Sequence, residues 1–481
     1  VTLATLIALP AIGAALIAAT GRWPNLREAV SVTTAVLLFA AVLRWVGPVL
    51  DGARPEQLLI EMLPGLALRL HLEPLGLLFA LLGSSLWMVT AVYAVGYMRG
   101  NGEAHQTRFY VCFALALSAV MGMATSANLP TMFVFYEMLT LSTAPLVAHK
   151  GNAAALGGVR TYLGYLLGSS IGLLLPAIVI TWMVTGTGAF TTGGILAGHI
   201  GPLAATGLYA LFLLGIGKAA LMPLHRWLPA AMVAPTPVSA LLHAVAVVKA
   251  GVFAVLKVTV YVFGIDFAAA TGATTPMMWL AAFTLLASSV IALRLDNLKA
   301  RLAYSTIGQL SYVVLGATLA TGLGVMGGAL HIVMHGFAKI TLFFCAGAIY
   351  TAVHKSLISE LDGLGRAMPF TFAAFTLGAL SIIGLPPLGG TWSKWTLMAG
   401  AADAGQQAMI AVVAVSTLLN IVYLLEIPMR GFLRAPADVP AGMHEAPAAC
   451  VAPLCITAAG CVALFFTAGY FQDLLEPLVT P

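Results

Sequence analysis

Charge is what this 481-residue sequence has least of. Only 8% of its residues are Asp, Glu, Lys or Arg, against about 25% in an ordinary soluble domain, while 60% are hydrophobic. That balance excludes a soluble enzyme and a nucleic-acid-binding surface. It is the composition of a chain that lives in lipid. Strict apolar–polar alternation is also missing from the long apolar stretches, which run to about 20 residues, so the spanning elements read as helices rather than as the strands of a barrel. Cysteine is scarce as well. Cys112, Cys345, Cys450, Cys455 and Cys461 are scattered through apolar segments with no paired metal-type spacing, and read as packing residues. The first stretch, "VTLATLIALPAIGAALIAA", shows no basic leader region and no cleavage signal, and reads as the first span.

Apolar windows separated by polar breaks place about fourteen transmembrane helices, near 1–19, 28–48, 73–97, 108–126, 129–148, 158–184, 202–222, 238–263, 275–294, 301–321, 324–352, 370–402, 407–427 and 448–468. No intervening segment is long and polar enough to be a soluble domain. The expectation is an all-α integral membrane bundle. Basic residues then set its orientation. Fourteen Lys and Arg flank the connections that follow odd-numbered spans, whereas the opposite side holds Arg44, Arg54 and Arg69. By the positive-inside rule both termini face outward, and the chain reads as a multi-pass protein of the cell's inner (plasma) membrane.

The same count isolates five basic residues inside spans, and all are lysines: Lys218, Lys249, Lys257, Lys339 and Lys394. Arginine keeps its charge under nearly any condition, whereas a desolvated lysine can exchange a proton. Among acids, Glu137 lies well inside the fifth span and Glu426 near the end of the thirteenth. Ionisable groups inside a membrane are functional candidates by default. In "HIVMHGFAKI", His331, His335 and Lys339 recur every four residues and form one stripe over about two helical turns. A single histidine there would read as a packing residue; three in register point to a hydrated interior. A zinc site is the competing interpretation, but no HExxH glutamate and no third ligand stands nearby in sequence, so no metal and no cofactor is expected.

Two stretches break their helices. Lys218 precedes Pro223, Pro229, Pro235 and Pro237, and Pro386–Pro387 with Gly389 and Gly390 precede Lys394. Proline removes a donor and frees carbonyls, and irregular backbone at membrane depth is tolerated where it lines a cavity or is buried in protein. Broken seventh and twelfth helices, with "HRW" and "SKW" as short echoes, are what an inverted repeat of two five-helix units produces.

Taken together, "KAALMPLHRWLPAAMVAPTPVSALLHA", "HIVMHGFAKITLFF" and "GLPPLGGTWSKW", with Glu137 upstream, resemble the proton-conducting antiporter family. It comprises the large antiporter-like subunits of respiratory complex I and of membrane-bound hydrogenases, and the A-type and D-type subunits of Mrp cation/proton antiporters. The similarity runs from about residue 70 to 430, and "FVFYEMLTLSTAPLVAHK" and "AVVKAGVF" look most like the D-type member of the Mrp set. The resemblance implies N-terminal helices over 1–107, a first antiporter repeat over 108–265, a second over 266–430 and a C-terminal helix over 431–481. It implies Glu137 paired with Lys218, then Lys249, His331 and His335 as relay groups, and Lys394 as the terminal lysine, with Lys339 beside them and helix breaks at Pro223, Pro386 and Pro387. The function it implies is proton translocation within a multisubunit Na+(K+)/H+ antiporter, alongside other membrane subunits. The same module in a redox-driven pump is the first alternative, and an integral-membrane metalloenzyme using His331 and His335 the second.

Overall fold

In hydrocarbon, backbone amides find no solvent partner, and a run of some twenty apolar residues resolves this by coiling into a helix. The structure, a computed structural model, describes residues 2–63, 66–435 and 442–479. Its main helices are α1 (Leu3–Ala19), α2 (Pro24–Leu43), α3 (Pro74–Gly100), α4 (Gln106–Ala124), α5 (Leu129–Val147), α6 (Ala153–Thr185), α7 (Pro202–Gly215), α8 (Thr236–Phe263), α9 (Thr275–Leu293), α10 (Leu298–Thr318), α11 (Gly322–Val353), α12 (Pro369–Ile383), α13 (Gly390–Asp403), α14 (Gln407–Leu433) and α15 (Ala448–Leu475). Among the described residues nine helical stretches are long and apolar enough to cross a membrane, and three shorter apolar helices, α1, α7 and α12, accompany them. The protein is a predominantly α-helical, multi-pass integral membrane bundle.

Local sequence fixes many of the helix starts. Asn128, Asn152, Asn297 and Thr321 each place a side-chain oxygen on a backbone amide of the turn they open, at α5, α6, α10 and α11. Glu73 does the same at α3 with two amides, those of Leu75 and Gly76.

The expected polar connection between the second and third spans holds a hairpin instead. Strands β1 (Glu56–Leu63) and β2 (Leu66–His71) pair antiparallel, with register irregularities between Leu58 and Ile60 and between Glu61 and Leu63. Those irregularities disrupt the period-2 pattern, which is why no strand is legible in the chain's hydropathy there. The hairpin sits at one end of the bundle, tied to the start of α5 by hydrogen bonds from the His71 amide to the Thr125 carbonyl and from the Ala127 amide to the Arg69 carbonyl.

Two helices form the centre. The apolar window of α8 is buried along its whole length and 94% of that of α11 is buried, whereas α6 and α14 bury only a third of theirs. A helix without an exposed face belongs inside a bundle, and these two carry Lys249, Lys257, His331, His335 and Lys339. Glycines allow the close packing this requires: a Cβ on Gly251 of α8 would come within 2.7 Å of the Lys218 carbonyl oxygen, so the irregular chain after α7 lies directly on α8.

Candidate functional site

Both helix breaks are real, and each presents a lysine over a tyrosine. α7 ends at Gly215, and Lys218 stands just beyond it in a tight turn, Gly217–Ala219, rather than within the span where hydropathy places it. Ala220 then adopts φ +54°, and the Met222–Pro223 peptide is cis. The indole of Trp227 donates to the freed Gly217 carbonyl at 3.0 Å and closes the turn. The second break has the same logic. α12 stops at Gly384, whose φ of +90° suits glycine, the Pro386–Pro387 peptide is cis, and α13 starts anew with Lys394 in its second turn.

Lys218 Nζ lies 3.1 Å from the centre of the Tyr136 ring, donates to the Tyr136 carbonyl at 2.8 Å and to Thr140 Oγ1 at 2.6 Å. Lys394 Nζ lies 4.8 Å from the Tyr312 ring centre, donates to the Ile383 carbonyl at 3.1 Å and to Thr417 Oγ1 at 3.0 Å. A ring face and two oxygens replace part of the water that each ammonium would otherwise lose. Tyr136, Thr140, Tyr312 and Thr417 carried no signal in the sequence, because tyrosine and threonine are ordinary residues of apolar helices.

Glu137 faces Lys218 at longer range: their charges act on one another, but not through a direct ion pair. Among the described residues no ion pair within 4 Å joins it to Lys218, and neither of its buried carboxylate oxygens has a hydrogen-bond partner. Lys218 instead engages the backbone and ring of Tyr136, while the Glu137 carboxylate, one residue on and buried, acts on Lys218, Tyr136 and Tyr162 through its charge.

Between the two breaks runs a buried polar line. Lys249 Nζ is 2.5 Å from Nδ1 of His335. The rings of His335 and His331 are near-parallel with centroids 5.8 Å apart. His331 in turn contacts Ser393 Oγ at 2.9 Å through Nδ1 and Gln309 Oε1 at 3.2 Å through Nε2, and Ser393 is the residue before Lys394. Lys249, His331 and His335 therefore reach the helix that carries Lys394. The histidine nitrogens point at Lys249, Ser393 and Gln309, and among the described residues no group of three His, Cys, Asp or Glu side chains is placed to hold a metal ion.

Lys339 departs from that line. Its ammonium donates to Ser305 Oγ at 2.8 Å, and the Tyr423 hydroxyl lies 3.1 Å from the same Ser305 oxygen and 2.5 Å from Asn420 Oδ1. This is a side branch from α11 to α10 and α14. His243, in a π-type turn of α8, is fully buried against the Phe343 ring at 4.6 Å, and neither ring nitrogen has a partner among the described residues. One end of α8 borders a cavity of about 140 Å³ lined by Lys150, Thr236, Lys299 and Tyr350. Lys299 donates there to the Ala234 carbonyl at 2.6 Å.

The family described as "NADH:quinone oxidoreductase/Mrp antiporter, TM" matches residues 126–420, a segment that contains both breaks and the line between them. The chain belongs to this family. Subunit N of the NADH-quinone oxidoreductase of Desulforudis audaxviator is 31% identical over 423 residues, covering 83% of this chain and 82% of that one. Subunit L of the Mycobacterium tuberculosis enzyme is 31% identical, covering 98% of this chain and 76% of its own length. Among solved structures, a chain of the Mrp complex from Dietzia sp. DQ12-45-1b superposes with a TM-score of 0.88 at 23% identity, over 99% of this chain and 96% of that one. A chain of the membrane-bound sulfane sulfur reductase, an archaeal respiratory membrane complex, gives 0.87 at 24% identity over 98% and 96%. These relatives by structure are chains of multisubunit membrane complexes, and the fold of this chain is theirs from end to end.

Proposed function

We propose that this chain is the proton-translocating subunit of a multisubunit monovalent cation (Na+/K+)/proton antiporter in the plasma membrane, with both termini on the outer face, and that it acts as a secondary transporter without an enzymatic step of its own. The observation that carries the reading is the buried line from Lys249 through His335 and His331 to Ser393, next to Lys394, with the backbone of Lys218 packed against α8 beside its start. An apolar bundle stops protons; a row of lysines and histidines able to give and take them, set side by side at mid-depth, passes them on. The two antiporter repeats, 108–265 and 266–430, each contribute one broken helix and one lysine–tyrosine pair, and the 2.5 Å contact between Lys249 and His335 joins them.

In this reading protons arrive from the cavity beside Lys299, pass His243 and reach Lys249. Glu137 controls Lys218 from one residue beyond its ring contact. When the carboxylate is free of any other cation it favours the charged lysine; when another cation engages it, that support is withdrawn and the Lys218 proton moves on. Lys394 hands the proton out of the bundle or to an adjacent subunit. Lys339 tunes the line through the Ser305–Tyr423 branch.

A second reading shares the same path: the chain serves a redox-driven pump. It is favoured by the names of the 31% identical relatives, which are NADH-quinone oxidoreductase subunits. Purification of the complex through a tag on this chain separates the two. Small hydrophobic companions and sodium- or potassium-dependent proton movement support the antiporter; co-purifying iron–sulfur subunits with electron-transfer-dependent proton movement overturn it.

A further inference from the structure

Of the five lysines that hydropathy places inside spans, Lys257 is the one that the proposed relay and its Ser305–Tyr423 branch leave unused. It is fully buried near the hairpin end of α8. Its Nζ lies 3.3 Å from Glu73 Oε1, donates to the Ser126 carbonyl at 2.6 Å, and sits 4.5 Å from the Phe190 ring centre. Glu73 is nearly as buried, and is held by the Leu75 and Gly76 amides at 2.7 and 3.0 Å and by the Tyr261 hydroxyl at 2.9 Å. Two residues before Glu73 is the half-buried His71, in the strand that pairs with the chain at Thr125 and Ser126. Burial pulls His71 below the usual histidine range, and the Glu73 carboxylate opposes this; Lys257, Glu56 and Arg54 are the other charges facing it. A charged pair thus stands between the membrane interior and the hairpin surface.

Lys249 is eight residues away on the same helix, about 12 Å along the axis and within roughly 80° of the same face. Midway, one turn from each lysine, is Phe253. Its ring stacks on Phe79 of α3 with centroids 4.7 Å apart, and its centre is 5.6 Å from the Lys257 ammonium. Phe253 therefore stands between the two lysines along α8, with its ring, stacked on Phe79, beside the Lys257 ammonium.

We propose that Lys257 and Glu73 form a second proton-transfer pair, opening from Lys249 toward the hairpin surface and gated by Phe79 and Phe253. The inference rests on the relay reading above and adds to it a branch and a gate. Lys257 gives its proton to the Glu73 carboxylate, leaving an amine and a neutral acid. The acid then releases that proton to water at His71. When the rings part, water admits a proton from the Lys249 ammonium to the Lys257 amine. One proton enters and one leaves, and the pair returns to one positive and one negative charge.

The alternative role for the pair is a pin holding α3 to α8. An arginine at 257 would keep such a pin, since it retains the charge and adds donors, but it cannot release a proton. The test uses the whole complex with its companion subunits in inverted vesicles, with subunit levels checked by blotting and cation-driven proton movement recorded. Lys257→Arg and Glu73→Gln are expected to assemble and to transport about a hundredfold or more slowly, the lower scale of losing a positioned proton-transfer group. Phe253→Ala is expected to raise cation-independent proton leak several-fold. Wild-type transport by assembled Lys257→Arg overturns the proposal and leaves a pin; if that variant does not assemble, an unchanged leak in Phe253→Ala overturns it instead. Glu137→Ala is measured alongside: normal transport there defeats the relay reading itself, whereas loss there with normal transport in Lys257→Arg defeats only the hairpin-side pair.

Discussion

Lys249 Nζ and His335 Nδ1 stand 2.5 Å apart, fully buried, at the point where α8 meets α11. Only one proton fits between the two nitrogens, given by whichever of them carries it, so the contact does not join two full cations. His335 Nε2 on the far side of the ring has no partner among the described residues. The histidine can therefore take a proton on one nitrogen and pass one on from the other, which joins the first lysine group to the second.

The geometry of Glu137 changes what its removal should do. Breaking a close buried ion pair costs about 3–5 kcal/mol. Because Glu137 is not within ion-pair distance of Lys218, Glu137→Ala should leave the assembled complex with nearly wild-type thermal stability while abolishing transport. Glu137→Asp should keep part of the activity. Thermal melting of the purified complex and proton movement in vesicles, measured on the same preparations, check this; a large stability loss would show that the two groups pair directly.

At the first break, the ring of Tyr136 does more than its hydroxyl. The hydroxyl accepts the Lys218 backbone amide at 3.1 Å, while the ring face sits under the ammonium. Tyr136→Phe should transport within about threefold of wild type. Tyr136→Leu, which removes a desolvated cation–π contact worth about 2 kcal/mol or more, should fall by about tenfold or more. Equal loss in both variants would shift the weight to the hydroxyl.

Lys394 is either a cap on freed carbonyls or a group that discharges a proton in each cycle. As a cap on Ile383 it would be replaced well by arginine. As a discharging group it would not, and Lys394→Arg should assemble normally yet transport poorly, with Lys394→Ala failing as well. Near-normal transport in the arginine variant would move the discharge elsewhere, to Lys339 or the Lys257 pair.

For orientation, a reporter active only in the cytoplasm and fused after Pro481 should be silent, given fourteen basic residues on one set of connections against three on the other. Strong activity from that fusion would reverse the assignment of faces.

Hydropathy and spacing made the helices legible, because twenty apolar residues have few other solutions in lipid. They also picked out Lys218, Lys249, His331, His335 and Lys394, because a charge in such a run has to be solvated by something. What solvates each charge was not legible. Tyr136, Thr140, Tyr312, Gln309 and Ser393 become informative only once distant helices meet, and Glu73, at the start of α3, finds Lys257 near the end of α8 only through the fold. The hairpin over residues 56–71 escaped because its irregular register disrupts the alternation that announces a strand. The Glu137–Lys218 pair that the family pattern named acts at longer range than a direct ion pair, which sequence position alone could not show.

If protons cross from one lysine group to the other through Lys249 and His335, then Lys249→Met tests the crossing most directly. Methionine fills nearly the same volume without a proton to give, so packing around Gly251 and against α11 survives while the link is cut. In inverted vesicles holding the assembled complex, cation-driven proton movement should fall about a hundredfold or more, the lower scale of losing a positioned proton-transfer group, with subunit levels unchanged. Wild-type proton movement by assembled Lys249→Met would contradict the relay and require a path that bypasses the centre of the bundle.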